Sequence, residues 1–304
     1  MKSDYVLGLT AGGFHRIHYT DWGSPDASSI VICVHGLTRN CRDFDFLAQA
    51  LVADFRVICP DVAGRGRSDW LKTKENYAYP QYCADMAAMI ARVTGRSTGL
   101  AARLGRMLGR ARSEKKRIFW VGTSMGGLIG MVLAAQPGSP IERLVLNDIG
   151  AIIPKAAVER IVTYVGKDPR FRTLEELESM LRLVLAPFGP LTDAQWRHLA
   201  ATGAKHYEDG TWGMCYDPGI AVPFQKEPPA DVNLWQFYDA IRCPTLLLRG
   251  AQSDLLLRDT AVEMTRRGAK ARLVEFEGIG HAPALMAQDQ IAIVRNFLME
   301  KLAV

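Results

Sequence analysis

The pentapeptide Gly122-Thr123-Ser124-Met125-Gly126 follows an apolar run at 118–121 and precedes a glycine- and leucine-rich stretch that reads as a helix. A short run of β-branched and aromatic residues bounded by glycine reads as a strand. The serine therefore falls on a sharp strand-to-helix turn. Glycine is needed on both flanks because a Cβ there meets neighbouring backbone, and the hydroxyl is lifted above the sheet edge at a helix N-terminus. A βα unit with serine at its apex constrains the chain more than the five letters do, because it calls for a parallel sheet on either side.

The rest of the chain supplies that sheet. Residues 5–9 and 15–22 flank the turn-rich Ala11-Gly12-Gly13, which predicts a starting hairpin. Apolar runs at 30–34 (IVICV), 55–59 (FRVIC) and 141–146 have the continuous character of strands buried on both faces. Helical periodicity at 43–52, 80–93 and 125–136 separates these runs. From 152 to 240 the pattern changes to three helical stretches (155–165, 173–185, 192–204) without a strand-like run. Thr173 with Glu176 and Thr192 with Gln195 have the spacing of capping boxes. After Cys243 alternation resumes, with strands at 245–248 and 272–276 and helices at 260–267 and 284–302. The expectation is an α/β fold with a mostly parallel central sheet flanked by helices. Its core is expected in two parts, 1–151 and 241–304, around a helical insertion at 152–240.

Composition removes several classes. Hydrophobic residues at 48% and charged residues at 23% of 304 are globular proportions. No apolar run approaches the roughly 20 residues of a membrane span. The first residues carry no apolar signal core, so a cytoplasmic protein is expected. The cysteines at 33, 41, 59, 83, 215 and 243 show no C-x-x-C pair, which argues against a zinc knuckle or dithiol centre and for buried filler. The net charge of +5 is local. Nine Lys/Arg against Glu114 between 92 and 117 leave the remainder of the chain acidic, so no nucleic-acid partner is expected.

A serine nucleophile needs a base, and the base needs an orienting acid. A nucleophile on such a turn predicts the order Ser, acid, His along the chain. Of six histidines, His198 and His206 fall in the helical insertion, and His15 and His18 in the hairpin. His281 lies in the glycine-rich loop Gly278-Ile279-Gly280-His281 after the last strand and is the candidate base. For the acid, Asp254 follows the strand at 245–248 and Asp148 follows the strand at 141–146. Both point to the same sheet edge. Asp254 is preferred, because it lies on the strand preceding the unit of His281, and Asp148 stands as the alternative. His35-Gly36-Leu37 ends the strand at 30–34, and the amides of Leu37 and Met125 are the candidate oxyanion donors. The His35 side chain itself is expected to be structural.

These motifs, in this order, resemble the α/β-hydrolase family. Val34-His35-Gly36 is similar to its oxyanion loop, and Asp61-Val62-Ala63-Gly64-Arg65-Gly66-Arg67-Ser68 to its D-x-x-G-x-G-x-S turn. The resemblance implies about eight strands with a helical cap after the sixth, and a triad that needs no metal or organic cofactor. Ser124 stands where dehalogenases and epoxide hydrolases carry aspartate, so acyl transfer to water is implied. The expected activity is a serine carboxylesterase working through an acyl-enzyme on small or short-to-medium-chain esters. Leu146-Asn147-Asp148-Ile149-Gly150 resembles bacterial hydrolases that include enzymes of aliphatic polyesters. The alternatives are a C–C bond hydrolase or thioesterase with the same triad, or a non-catalytic binding protein on this fold.

Two further features carry expectations. Trp212, Met214, Tyr216, Ile220 and Phe224 form an apolar cluster in the insertion that is a candidate substrate pocket. In the basic segment, Leu100, Leu104, Met107 and Leu108 have helical spacing among arginines. Contact with an anionic membrane or polymer surface is one reading; a solvated excursion is the preferred one.

Overall fold

The computed structural model describes residues 1–95 and 116–300. Most of the basic segment, including its four apolar positions, lies outside the described residues. Eight strands form one sheet: β1 (Lys2–Thr10), β2 (Gly13–Trp22), β3 (Ser29–Val34), β4 (Arg56–Pro60), β5 (Arg117–Thr123), β6 (Ile141–Asn147), and two strands late in the chain, Thr245–Gly250 and Arg272–Phe276. The order across the sheet is β1-β2-β4-β3-β5-β6 followed by those late strands in sequence order. Only the β1–β2 and β2–β4 pairings are antiparallel. From β4 onward every pairing is parallel.

Burial on two faces explains the apolar runs. In β3, Ile30, Ile32 and Val34 point into one core while Val31 and Cys33 point into the other. A period of two therefore disappears from the hydrophobicity while it persists in the packing. Cys33, Cys41 and Cys59 lie in the second core as small apolar side chains, and all six cysteines are free thiols. Helices α1 (Asp45–Leu51), α2 (Tyr79–Thr94) and α3 (Met125–Ala134) connect the first strands.

Between β6 and Thr245 the chain forms short strands β7 (Ile152–Ile153), β8 (Ala204–His206), β9 (Trp212–Met214) and β10 (Val232–Asn233). The helices of this stretch are α4 (Lys155–Tyr164), α5 (Leu174–Val184), α6 (Asp193–Gly203) and α7 (Trp235–Tyr238). The insertion does contain extended structure: β7 pairs with β10 and β8 with β9. Two or three residues are too few to leave an alternation in the sequence. Thr192 and Gln195 form the reciprocal capping box. Thr173 accepts from the Glu176 amide, but the Glu176 carboxylate takes the amide of Arg172, so the second box closes only half-way.

The core then resumes with β11 (Thr245–Gly250), α8 (Arg258–Met264), β12 (Arg272–Phe276) and α9 (Gln288–Met299). No helix among the described residues is long and apolar enough to cross a membrane. The parallel strands all deliver their C-terminal ends to one edge of the sheet, where crevices form above a twisted α/β sheet.

Candidate active site

Ser124 stands between β5 and α3 with φ 52° and ψ −117°. Such backbone angles cost a non-glycine residue about 1–3 kcal/mol and are held only where the surroundings over-determine them. Here the surroundings are the flanking glycines. A Cβ on Gly126 would lie 1.9 Å from the carbonyl oxygen of Val34, and one on Gly122 would lie 2.3 Å from that of Gly126. The elbow is thereby pressed directly onto the backbone of β3. Its amide is tied to β6 as well, since Ser124 N–H donates to the Asn147 carbonyl at 2.9 Å.

His281 reaches Ser124 from the loop after β12, with Nε2 3.0 Å from the serine Oγ. Its Nδ1 lies 2.7 Å from Oδ2 of Asp148, a carboxylate with no solvent exposure at the end of β6. With Nδ1–H donated to the carboxylate, Nε2 is left to accept from the serine hydroxyl. The remaining lone pairs of Asp148 accept from the Gly250 amide at 2.8 Å and from the Ser253 hydroxyl at 2.5 Å.

Asp254, the residue preferred for the acid, is not in this constellation. Its side chain is 55% exposed and pairs with Nε of Arg160 at 2.6 Å. The end of β11 and the loop after it do contribute, but through Gly250 and Ser253, which orient the carboxylate supplied by the neighbouring strand. The structure thus brings together Ser124, His281 and Asp148, the alternative acid.

The loop after β3 is fixed from below by His35, whose ring is 1% exposed. Nε2 accepts from the Val62 amide at 2.9 Å, so Nδ1 carries the hydrogen and donates to the Gly36 carbonyl at 2.7 Å. The Arg39 amide donates to the same carbonyl at 3.2 Å. In a trans peptide the N–H points opposite the C=O. Holding the Gly36 carbonyl therefore turns the Leu37 N–H the other way. Burial pushes the His35 imidazole below its ordinary value, which keeps the ring neutral.

Leu37, Ser124 and Met125 line one cavity of about 800 Å³. Its wall is mainly apolar, with Leu128, Ile149, Ile153, Ile161 and Leu255 among the lining side chains. Of the five aromatic and apolar candidates in the insertion, only Phe224 faces this cavity. Met214, Tyr216 and Ile220 are at most 8% exposed and packed into the core, and the Tyr216 hydroxyl donates to the Lys167 carbonyl. Trp212 packs against that core with its ring 4.6 Å from that of His206. These side chains complete the interior of the insertion, which composition alone does not distinguish from lining a cavity.

Sequence reasoning missed Asn147, whose amide donates to Thr123 Oγ1 at 3.0 Å and to the Pro283 carbonyl at 2.8 Å. It clamps the elbow strand to the histidine loop. Its neighbour Asp148 was the available signal. His18 Nδ1, Cys41 Sγ and an Asp61 oxygen lie within 4.8 Å of one another, which is the spacing of a metal-ligand set. The Asp61 carboxylate, however, already accepts from Cys41 N–H, Arg67 N–H and His18 Nδ1. That chemistry fits a hydrogen-bonded support for the glycine turn rather than a cation site.

Residues 31–293 match the family described as the alpha/beta hydrolase family. The chain belongs to that family. A protein of Cupriavidus necator named 3-hydroxybutyrate-oligomer hydrolase is 44% identical to this hydrolase over 301 residues, covering 96% of each chain. An esterase of Mycobacterium tuberculosis is 25% identical over 285 residues, covering 91% of this chain and 84% of its own. Among solved structures, a putative hydrolase from Rickettsia typhi superposes with a TM-score of 0.87 at 31% identity, covering 99% of this chain and all of its own. An alpha/beta hydrolase from Novosphingobium aromaticivorans gives 0.79 at 33% identity, covering 98% and 97%.

Proposed function

We propose that this α/β hydrolase cleaves carboxylic esters through an acyl-enzyme on Ser124, with short oligoesters of 3-hydroxy acids as its substrate class. The observation that carries the reading is the continuous hydrogen-bonded chain from Asp148 through His281 to Ser124, opening into an apolar cavity of about 800 Å³. His281 takes the proton of Ser124 as Oγ attacks the ester carbonyl. Negative charge then collects on the former carbonyl oxygen, toward which the amides of Leu37 and Met125 donate. Collapse expels the alcohol, protonated by His281. Water, deprotonated by the same imidazole, attacks the acyl-enzyme and releases the acid.

The name of the Cupriavidus necator relative supports an oligoester rather than a bulky lipid. A methyl-branched acyl unit also suits a lining of leucine, isoleucine, valine and proline. The six free cysteines support a reducing, cytoplasmic setting.

The experiment is a panel of p-nitrophenyl esters from C2 to C12 run beside 3-hydroxybutyrate trimer and acyl-CoA thioesters, with Ser124→Ala as blank. Turnover of the trimer and short esters with little thioester cleavage is expected. Absence of ester turnover together with no phosphonate label on Ser124 defeats the reading.

A further inference from the structure

Arg65 lies in the D-x-x-G-x-G-x-S turn and is fully buried. Its acceptors include no carboxylate. Nε donates to the Leu37 carbonyl at 2.9 Å, and Nη1 to the Ala63 carbonyl at 2.7 Å and the Tyr82 hydroxyl at 2.9 Å. Nη2 lies 3.6 Å from Sδ of Met125. The guanidinium carbon also sits over the rings of Tyr77 at 5.6 Å and Tyr82 at 5.1 Å. Burying a cation against neutral partners is expensive, and an apolar side chain of the same volume would fold at lower cost. The position of the charge supplies a reason to keep it. The same guanidinium touches Leu37 on the loop after β3 and Met125 at the start of α3.

We propose that Arg65 is a positioning residue of the oxyanion hole, a buried cation that fixes the Leu37 donor, packs against the Met125 side chain beside the second donor and biases the surroundings of both toward negative charge. The proposal rests on the ester-hydrolase reading above. His35 holds the peptide preceding Leu37 through the Gly36 carbonyl, and Arg65 holds the peptide following it through the Leu37 carbonyl. With both planes pinned, the Leu37 N–H has little freedom to turn. On the opposite wall the fork reaches the Met125 side chain through Sδ, so one planar guanidinium contacts both segments that carry the donors. Because a positive charge in a low-dielectric interior interacts most strongly with charge that develops there, its effect falls on the tetrahedral intermediate rather than on the neutral ester.

The test compares wild type, Arg65→Lys and Arg65→Gln. The readouts are kcat and KM on p-nitrophenyl butyrate and the inhibition constant of an alkylboronic acid, which adds to the serine as a tetrahedral anion. Circular dichroism and thermal melting check the fold of each variant. The expected result is a kcat reduced about tenfold in Arg65→Lys and about a hundredfold in Arg65→Gln. KM should stay within about threefold, and boronate affinity should fall by the same factors as kcat. If Arg65→Gln does not fold, Arg65→Lys decides alone. A folded Arg65→Lys with kcat and boronate affinity near wild type overturns the proposal, as does a loss confined to KM or to melting temperature. An inactive wild type that takes no phosphonate at Ser124 defeats the ester-hydrolase reading instead, which keeps the two failures apart.

Discussion

Nδ1 of His281 lies 2.7 Å from Oδ2 of Asp148 although 133 residues separate the two along the chain. The whole insertion and the strand β11 intervene in sequence, yet β6 and β11 are hydrogen-bonded neighbours in the sheet. Asp148 sits with φ 53° directly after β6, its own amide donating to the Leu248 carbonyl at 2.8 Å. The carboxylate is thus anchored at the backbone by β11 and at the side chain by the loop that follows it. Asp148→Asn is expected to lower kcat by about a thousandfold to ten-thousandfold, because an amide at this position disfavours the productive imidazole tautomer. Asp254→Asn should stay within about threefold, since it breaks only a half-exposed pair with Arg160. Steady-state kinetics of the two variants side by side checks both statements.

Ser253 offers a finer probe of the same carboxylate. Its hydroxyl donates to Asp148 at 2.5 Å and accepts from the amides of Leu255 and Leu256. Removing it in Ser253→Ala takes away a hydrogen bond to a charged group, a loss of about 1.5–3 kcal/mol in stability. A kcat about tenfold lower is expected, with KM nearly unchanged, because the ground-state ester does not touch this residue. Chemical denaturation and kinetics on the same preparation separate the two effects.

Cys83 lines the same cavity as Ser124, and burial pushes its thiol up to about 11. The thiolate is the reactive form. Inactivation by N-ethylmaleimide should therefore be slow at pH 7.5 and accelerate nearly tenfold per pH unit through the range below 11. A short-chain ester or product should protect against it, and Cys83→Ser should be resistant. Rapid inactivation at pH 7.5 that Cys83→Ser does not relieve would place the sensitive thiol elsewhere.

Asp61 supplies an acid-side prediction. Burial alone would raise its carboxyl, but the bond from His18 and the amides of Arg67 and Cys41 together hold it below the ordinary carboxylate range. A depressed value in the folded state means stability that is present above about pH 4 and lost as the pH falls through the folded value. The melting temperature of the wild type should drop as the pH falls from about 4 to about 2. Asp61→Asn should start about 2–3 kcal/mol less stable at pH 7 and show a flatter profile. Thermal melts across that range test the slope.

The legible parts of the site were those written into contiguous sequence. The elbow could be read because the glycines at 122 and 126 are dictated by contacts that any side chain would violate. His281 could be read because it is the one histidine after the insertion, in a glycine-rich loop. The structural role of His35 followed from its place at the foot of the loop after β3 and is what its two hydrogen bonds describe. By contrast, the aromatic run from Trp212 to Phe224 has the same composition whether it faces a cavity or its own interior. Of its aromatic side chains only Phe224 faces the cavity, while Tyr216 and Ile220 are taken up by the core.

The sequence by itself determined the α/β sheet, the serine on its strained turn and the histidine that meets it, since each follows from local periodicity and local steric exclusion. The choice between Asp148 and Asp254 belonged to the tertiary structure. Both residues leave parallel strands at the same edge, and strand order and side-chain burial are set by contacts between segments far apart in the chain. Once β11 is laid beside β6, Gly250 and Ser253 close over Asp148, and Asp254 is carried out to solvent and Arg160. No property of either aspartate's neighbours in sequence records that outcome.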